Sequence, residues 1–358
     1  MKKIALLGAG SSVGRYILSS TGPNVVGIIR SNRALSQLCD LNLGNRLIVA
    51  EDCAALSDAL NGCCSVVNLV NDANPFSAKR SLSALIEACV AAKVPQLIHI
   101  SSAAVYGPRA GEVNGLDDCL WWPSWSSYAI GKRWQESVIK KNAHRFPSVV
   151  VLRPGLIWGP GMAWLNGPAC ELARGIAWVV EGDSKCNLVN IGFLKHAILE
   201  LVSIQPGGLV WCNIADKKRL TWSAYYQAIA SELGLGTAKI EVLPRQRFKW
   251  WSGAKSLRYV WPFGLGWSIA TPSQKSLVKK ILRRPINHYL SCKVTGGKAW
   301  SVCINRETWE LKSFDGLLPG CELNERLHAS FKLSVSEQWG EVKALRPWFA
   351  VDHGSIRD

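Results

Sequence analysis

The feature that most restricts the fold is the opening run KKIALLGAGSSVGRY, in which four consecutive apolar residues, 4–7, meet Gly8, Gly10 and Gly14. A short unbroken apolar run that ends at glycine reads as a strand buried on both faces, the habit of a parallel sheet. The glycines permit a tight turn, and a helix from about Ser12 would present its first amide groups at the mouth of that turn. The competing reading is a secretory leader, which needs an apolar core of about 7–15 residues. Here the run breaks at Gly8, and Arg15 stands where that core should continue. A strand–turn–helix start is therefore expected, and with it a cytoplasmic protein.

The pattern repeats. Val25–Ile29 reads as a second strand one β–α unit downstream, and further strands are expected near 46–50, 66–70, 97–101 and 149–152. Helical patterns at 56–60, 81–91 and 128–141 separate them. Repeated β–α units of this kind imply an α/β fold, a Rossmann-type doubly wound parallel sheet. The dinucleotide-binding part is expected to take residues 1–154 plus about 188–219, where a later β–α run returns to the sheet. A smaller C-terminal substrate-binding lobe would take about 155–187 plus 220–358.

In such a sheet a diphosphate approaches the first turn, here Gly8, Gly10, Ser11, Ser12, Val13 and Gly14. An acidic residue after the second strand would accept the ribose hydroxyls of NAD, whereas arginines suit the extra phosphate of NADP. Arg30 and Arg33 occupy that stretch, so NADP is expected ahead of NAD. Asp52 and Asn68, after the third strand and in the fourth, complete the expected cofactor set. No metal site is expected, since no Cys/His cluster has zinc spacing.

Two motifs carry the chemistry. HISSAAVYGP, residues 99–108, places Ser102 at a strand end, where ligands bind in open α/β sheets. SSYAIGKRWQE, residues 126–136, sets Tyr128 and Lys132 four apart, on one helix face. A nearby ammonium favours a phenolate, so Lys132 is expected to lower the pKa of Tyr128 and ready it for proton transfer near neutral pH. Ser102 would hold the same substrate oxygen.

With the glycine turn, the serine-rich strand end, YxxxK and then LRPGLIWGPG in this order, the chain resembles the extended short-chain dehydrogenase/reductase family, also called the NAD-dependent epimerase/dehydratase family, over roughly residues 3–234. The resemblance implies Ser102, Tyr128 and Lys132 as the catalytic set, with Lys132 also bonding the nicotinamide ribose. It implies Arg153, Pro154 and Gly155 in cofactor placement. It further implies an oxidoreductase or epimerase working by hydride transfer at a hydroxyl or keto carbon of a nucleotide sugar. The family's sugar dehydratases carry Asp-Glu after the catalytic residue, whereas Ala103 and Ala104 stand here, which argues against dehydration. Two other departures are Ser11 in place of the middle glycine and Gly192–Phe193 in place of an acidic pair. A hydroxysteroid- or terpenoid-type dehydrogenase on an apolar or lipid-linked substrate, and a non-catalytic dinucleotide sensor or scaffold, are the alternatives.

Charge is unevenly placed. Residues 239–298 hold thirteen Lys or Arg and a single acid, Glu241, and so account for +12 of the formal +16. Basic and tryptophan-rich, 258–284 suits diphosphate binding or peripheral membrane contact through a basic amphipathic helix. Nucleic acid is disfavoured, since no recognised binding module accompanies the segment. Twelve scattered cysteines without a CxxC pair read as reduced, small apolar residues. The helix pair beside YxxxK would suit a homodimer. Residues 289–358 yield no functional reading.

Overall fold

The computed structural model describes residues 3–30, 35, 38–41, 43–72, 74–107, 127–236, 239–243, 271, 273–274, 312, 322–332 and 335–345. Arg33 and nearly all of the basic, tryptophan-rich segment lie outside these residues.

Seven strands form one parallel sheet: β1 (Lys3–Leu7), β2 (Val25–Ile29), β3 (Leu47–Val49), β4 (Cys63–Asn68), β5 (Gln96–Ile100), β6 (Ser148–Pro154) and, last in the chain, Gly208–Ile214. Their order across the sheet places β3, β2, β1, β4, β5, β6 and the Gly208–Ile214 strand side by side. Successive side chains of one strand go to opposite faces. Ile4 and Leu6 thus enter one apolar core, and Ala5 and Leu7 the other. In β6, Val150 and Leu152 join the first core while Val149 and Val151 join the second. Unbroken apolar runs are what a sheet covered on both faces requires, and this is the expected doubly wound fold.

Helix α1 (Ser12–Ser19) follows β1; α2 (Cys53–Leu60), α3 (Pro75–Ala91) and α4 (Ser127–Asn142) follow β3, β4 and β5. The strand expected at 66–70 begins earlier, at Cys63, and ends at Asn68. Cys63 pairs with Lys3 in the ladder, Cys64 lies where the register shifts, and both carry free thiols. The chain order reverses between β1 and β4, and the crevice at such a switch point is where ligands enter.

Beyond β6 the chain builds a second packed body. β7 (Leu156–Trp158) pairs with β9 (Leu188–Asn190), and β8 (Ile176–Val180) pairs with β11 (Lys239–Leu243), both parallel. Helix α5 (Ala163–Ala173) lies between β7 and β8, and α6 (Ile191–Ile204) leads into β10, the Gly208–Ile214 strand of the main sheet. Helix α7 (Trp222–Leu233) joins α5 and β8 in a separate core built on Trp158, Leu165, Trp222, Tyr225 and Tyr226. Of the last two described helices, α8 (Glu322–Ser330) sends Leu327 into the core of the main sheet, whereas α9 (Val335–Lys343) sends Val342 into the lobe. The lobe boundary expected at 220–358 therefore needs correcting at α8. Gly192 and Phe193 start α6 under the Asn190 cap, and Phe193 stacks on His328 with ring centroids 3.8 Å apart, so the missing acidic pair is replaced by packing.

Candidate active site

At the end of β1 the backbone turns through Gly8 at φ +81°, a conformation that favours glycine. A Cβ at Gly14 would lie 2.5 Å from the Gly8 carbonyl oxygen, so helix and turn pack closer than any side chain allows. Ser11, where the middle glycine is usual, has an ordinary φ of −71° and caps α1. Its Oγ accepts from the Gly14 amide at 3.1 Å and donates to the Gly8 carbonyl at 2.8 Å. No left-handed backbone is needed at Ser11, and its hydroxyl stiffens the turn.

Two cavities meet at this turn and share Ser11, Leu69 and Asn71 as walls. One, of about 450 Å³, is lined by Gly8, Gly10, Arg30, Asp52 and Asn68. Arg30 is exposed at the end of β2. Asp52 also caps α2, accepting from the Ala55 amide at 2.8 Å. Asn68 is buried; its Nδ2 lies 3.1 Å from His99 Nδ1, and its Oδ1 accepts from the Val70 amide. Burial, helped by the Lys132 charge, holds His99 well below the usual imidazole range, so its neutral Nδ1 accepts from Asn68.

The other cavity, of about 440 Å³, is lined by Ser12, Val13, Ser102, Tyr128, Lys132, Pro154 and Gly155. Ser102 sits just past β5 and caps a short 3₁₀ turn, accepting from the Ala104 amide at 3.2 Å. Tyr128 and Lys132, one turn apart on α4, face the same space, with the lysine Nζ 5.9 Å from the centre of the tyrosine ring. That Nζ donates to the Ile100 carbonyl at 2.8 Å. Burial lowers the Lys132 pKa to about 8, against the opposing pull of Glu136. The expected depression of the Tyr128 pKa is not found. Burial raises it, and the Ser102 hydrogen bond only partly offsets that rise.

Gly155 lines the cavity, and a Cβ there would meet the Asn187 carbonyl oxygen at 1.9 Å, so only glycine fits. Arg153 needs correcting. It faces away from the cavity lining, and its Nε and Nη2 bond both carboxylate oxygens of Glu136 at 2.9 and 3.0 Å. Nη1 donates to the Tyr106 hydroxyl, which in turn donates to Asn213 Oδ1. Ser101 adds a hydrogen bond to Glu136 at 2.6 Å. This buried network fixes the strand ends and α4 behind the cavity.

Sequence reading missed the far wall: Met162, Trp164, Lys185, Cys186 and Trp222 line the cavity beyond Tyr128. The two indole rings lie 5.8 Å apart. Nothing local marks these residues, because α5, the loop before β9 and α7 come together only in the folded lobe.

The glycine cradle, the capped N-terminus of α1 and the two adjoining cavities would fit a dinucleotide. Comparisons with known proteins agree. The NAD(P)H-binding family model matches residues 8–157. No curated protein sequence matches the chain. Among solved structures, MoeE5 in complex with UDP-glucose and NAD is 21% identical with a TM-score of 0.53, covering 70% of this chain and 91% of that one. A UDP-N-acetylglucosamine 4-epimerase from Methanobrevibacter ruminantium is 17% identical with a TM-score of 0.57, over 69% and 87%. DesIV, a dTDP-glucose 4,6-dehydratase from Streptomyces venezuelae, is 15% identical with a TM-score of 0.54, over 68% and 85%. Residues 8–157 thus resemble an NAD(P)H-binding domain, and the chain shares the fold of these three structures. Among the described residues no helix is long and apolar enough to cross a membrane.

Proposed function

We propose that this protein, an NAD(P)H-binding chain of extended short-chain dehydrogenase/reductase fold, is an oxidoreductase or epimerase acting at a hydroxyl or keto carbon of a nucleotide sugar. The observation that carries the reading is the convergence of Ser102, Tyr128 and Lys132 on one cavity that opens onto the glycine turn. A bound nicotinamide supplies the hydride donor or acceptor. Ser102 donates a hydrogen bond to the substrate oxygen and orients it. Tyr128 moves the proton on that oxygen, as acid or as base according to direction. Lys132 holds the ribose and adds positive charge beside the phenol. With Tyr128 raised by burial, its neutral form prevails near neutral pH, which suits donation of a proton to a carbonyl oxygen. Ala103 and Ala104 line the same cavity and offer no acid or base, which supports hydride transfer without dehydration.

Arg30, at the rim of the adenosine-side cavity, supports a preference for NADP over NAD. A second reading, an apolar or lipid-linked substrate, is favoured by the Met162, Trp164 and Trp222 wall.

Calorimetry with NADPH and NADH tests the cofactor. Tight NADPH binding that Arg30→Ala weakens supports the reading, and absence of any dinucleotide binding ends it. Activity is then assayed against panels of UDP-linked keto sugars and of keto steroids. Tyr128→Phe should lower turnover by about 10²–10⁴-fold while NADPH binding persists.

A further inference from the structure

We propose that Lys312 is a positioning residue for the substrate end of the cavity, by which the C-terminal part of the chain sets the geometry of that wall. The inference deepens the nucleotide-sugar reading and rests on it for its ligand probe. Lys312 is only 1% exposed, yet it belongs to neither the glycine turn nor the catalytic set. Its Nζ donates to the Trp178 carbonyl of β8 at 3.0 Å and to the Tyr226 hydroxyl of α7 at 2.6 Å. Glu171 of α5 stands 3.6 Å away. The ammonium lies 3.6 Å from the centre of the Trp178 ring and 5.6 Å from that of Trp222. The backbone carbonyl of Lys312 accepts from Ser184 Oγ.

The two ends of this one residue thus hold two walls of the cavity. Ser184 begins the loop whose next residues, Lys185, Cys186 and Asn187, line the cavity. Trp222 lines it from the other side, beside Trp164. Burying a cation is costly, and an apolar side chain of similar volume often serves packing as well or better. A lysine here is therefore not explained by stability. Its fixed donors and its contact with aromatic faces set the angle between α5, β8 and α7, and so the spacing of the loop from the indoles.

The test uses the full chain saturated with NADPH and two readouts. One is calorimetric affinity for UDP-glucose; the other is hydroxyl-radical footprinting of Trp164 and Trp222. Lys312→Met should lose little stability, because Glu171 keeps its bond from the Tyr226 hydroxyl, and should bind NADPH unchanged. It should weaken UDP-glucose by at least about tenfold and raise oxidation of both indoles, with Lys312→Arg recovering part of the loss. Unchanged UDP-glucose affinity and footprint would overturn the proposal. Should wild type itself refuse UDP-glucose, the nucleotide-sugar reading fails and the footprint alone decides about Lys312. If Lys312→Met does not fold, Ser184→Ala releases the other anchor, and the same two readouts decide.

Discussion

Arg153 and Lys312, two of the buried cations among the described residues, are handled differently. Arg153, behind the catalytic set, grips both oxygens of Glu136, bonds the Tyr106 hydroxyl and lies 4.7 Å from the centre of the Trp211 ring. Lys312, in the lobe, has its carboxylate at 3.6 Å and rests on aromatic faces and two neutral oxygens instead. A guanidinium stays charged at any pH a protein survives, whereas a buried lysine can lose its proton. The charge network behind Ser102 and Lys132 is thus neutralised pairwise and constant. That of the lobe is only partly neutralised, and it responds to pH.

The largest effect should come from breaking the first pair. Glu136→Ala strips the buried Arg153 of the carboxylate that both its Nε and Nη2 grip and should cost about 3–5 kcal/mol in urea denaturation. Lys312→Met leaves Glu171 without its cation, but that carboxylate is partly exposed and still accepts from the Tyr226 hydroxyl, so the cost should be smaller, about 1 kcal/mol. Equal losses in the two variants would dissolve the contrast. Next in size is Tyr106→Phe, which strips one acceptor from Arg153 and one donor from Asn213. A loss of about 1–3 kcal/mol is expected, with the Tyr128-dependent turnover measured alongside to show whether the strand ends have shifted.

The legible parts of the molecule share a physical reason: their signal is local. Unbroken apolar runs such as residues 4–7 and 149–152 state that both faces of the sheet are covered, and the two-sided cores confirm it. The spacing of Tyr128 and Lys132 is a property of one helix, so their common orientation could be read directly. The resemblance of LRPGLIWGPG implies Arg153 in cofactor placement together with Pro154 and Gly155, and of the three only Pro154 and Gly155 line the cavity. In an extended strand, adjacent side chains point to opposite sides, and Arg153 points to Glu136. The pKa of Tyr128 was misjudged because spacing gives proximity but not desolvation, and burial is the larger influence on the phenol. Lys312 had no signal at all. Its partners Glu171, Trp178, Ser184 and Tyr226 come from four separate stretches of chain, and a lone lysine reads as a solvated charge until those stretches meet.

The smallest effect sharpens the contrast most, because it reads the charge of Lys312 directly. Burial lowers its pKa from 10.5 to about 8, with Glu171 opposing the shift. Between pH 8 and 10.5 the unfolded chain therefore holds a proton there that the folded chain has released, and stability from this group rises with pH. The contribution is complete above 10.5 and is lost as pH falls through about 8. From pH 7 to pH 9 the gain is roughly 1 kcal/mol. Cys89 and Cys186 act in the other direction. Burial raises both to about 12, so the unfolded chain ionises first and stability falls as pH passes their ordinary value near 9. The total pH profile mixes these signs, but the wild-type profile minus that of Lys312→Met cancels the cysteines. That difference should climb by roughly 1 kcal/mol between pH 7 and 9 in urea unfolding, while the Tyr106→Phe difference stays flat. A flat Lys312 difference would mean that the lysine stays fully charged or fully neutral across this range, and the lobe would then be no more responsive to pH than the arginine pair behind the catalytic set.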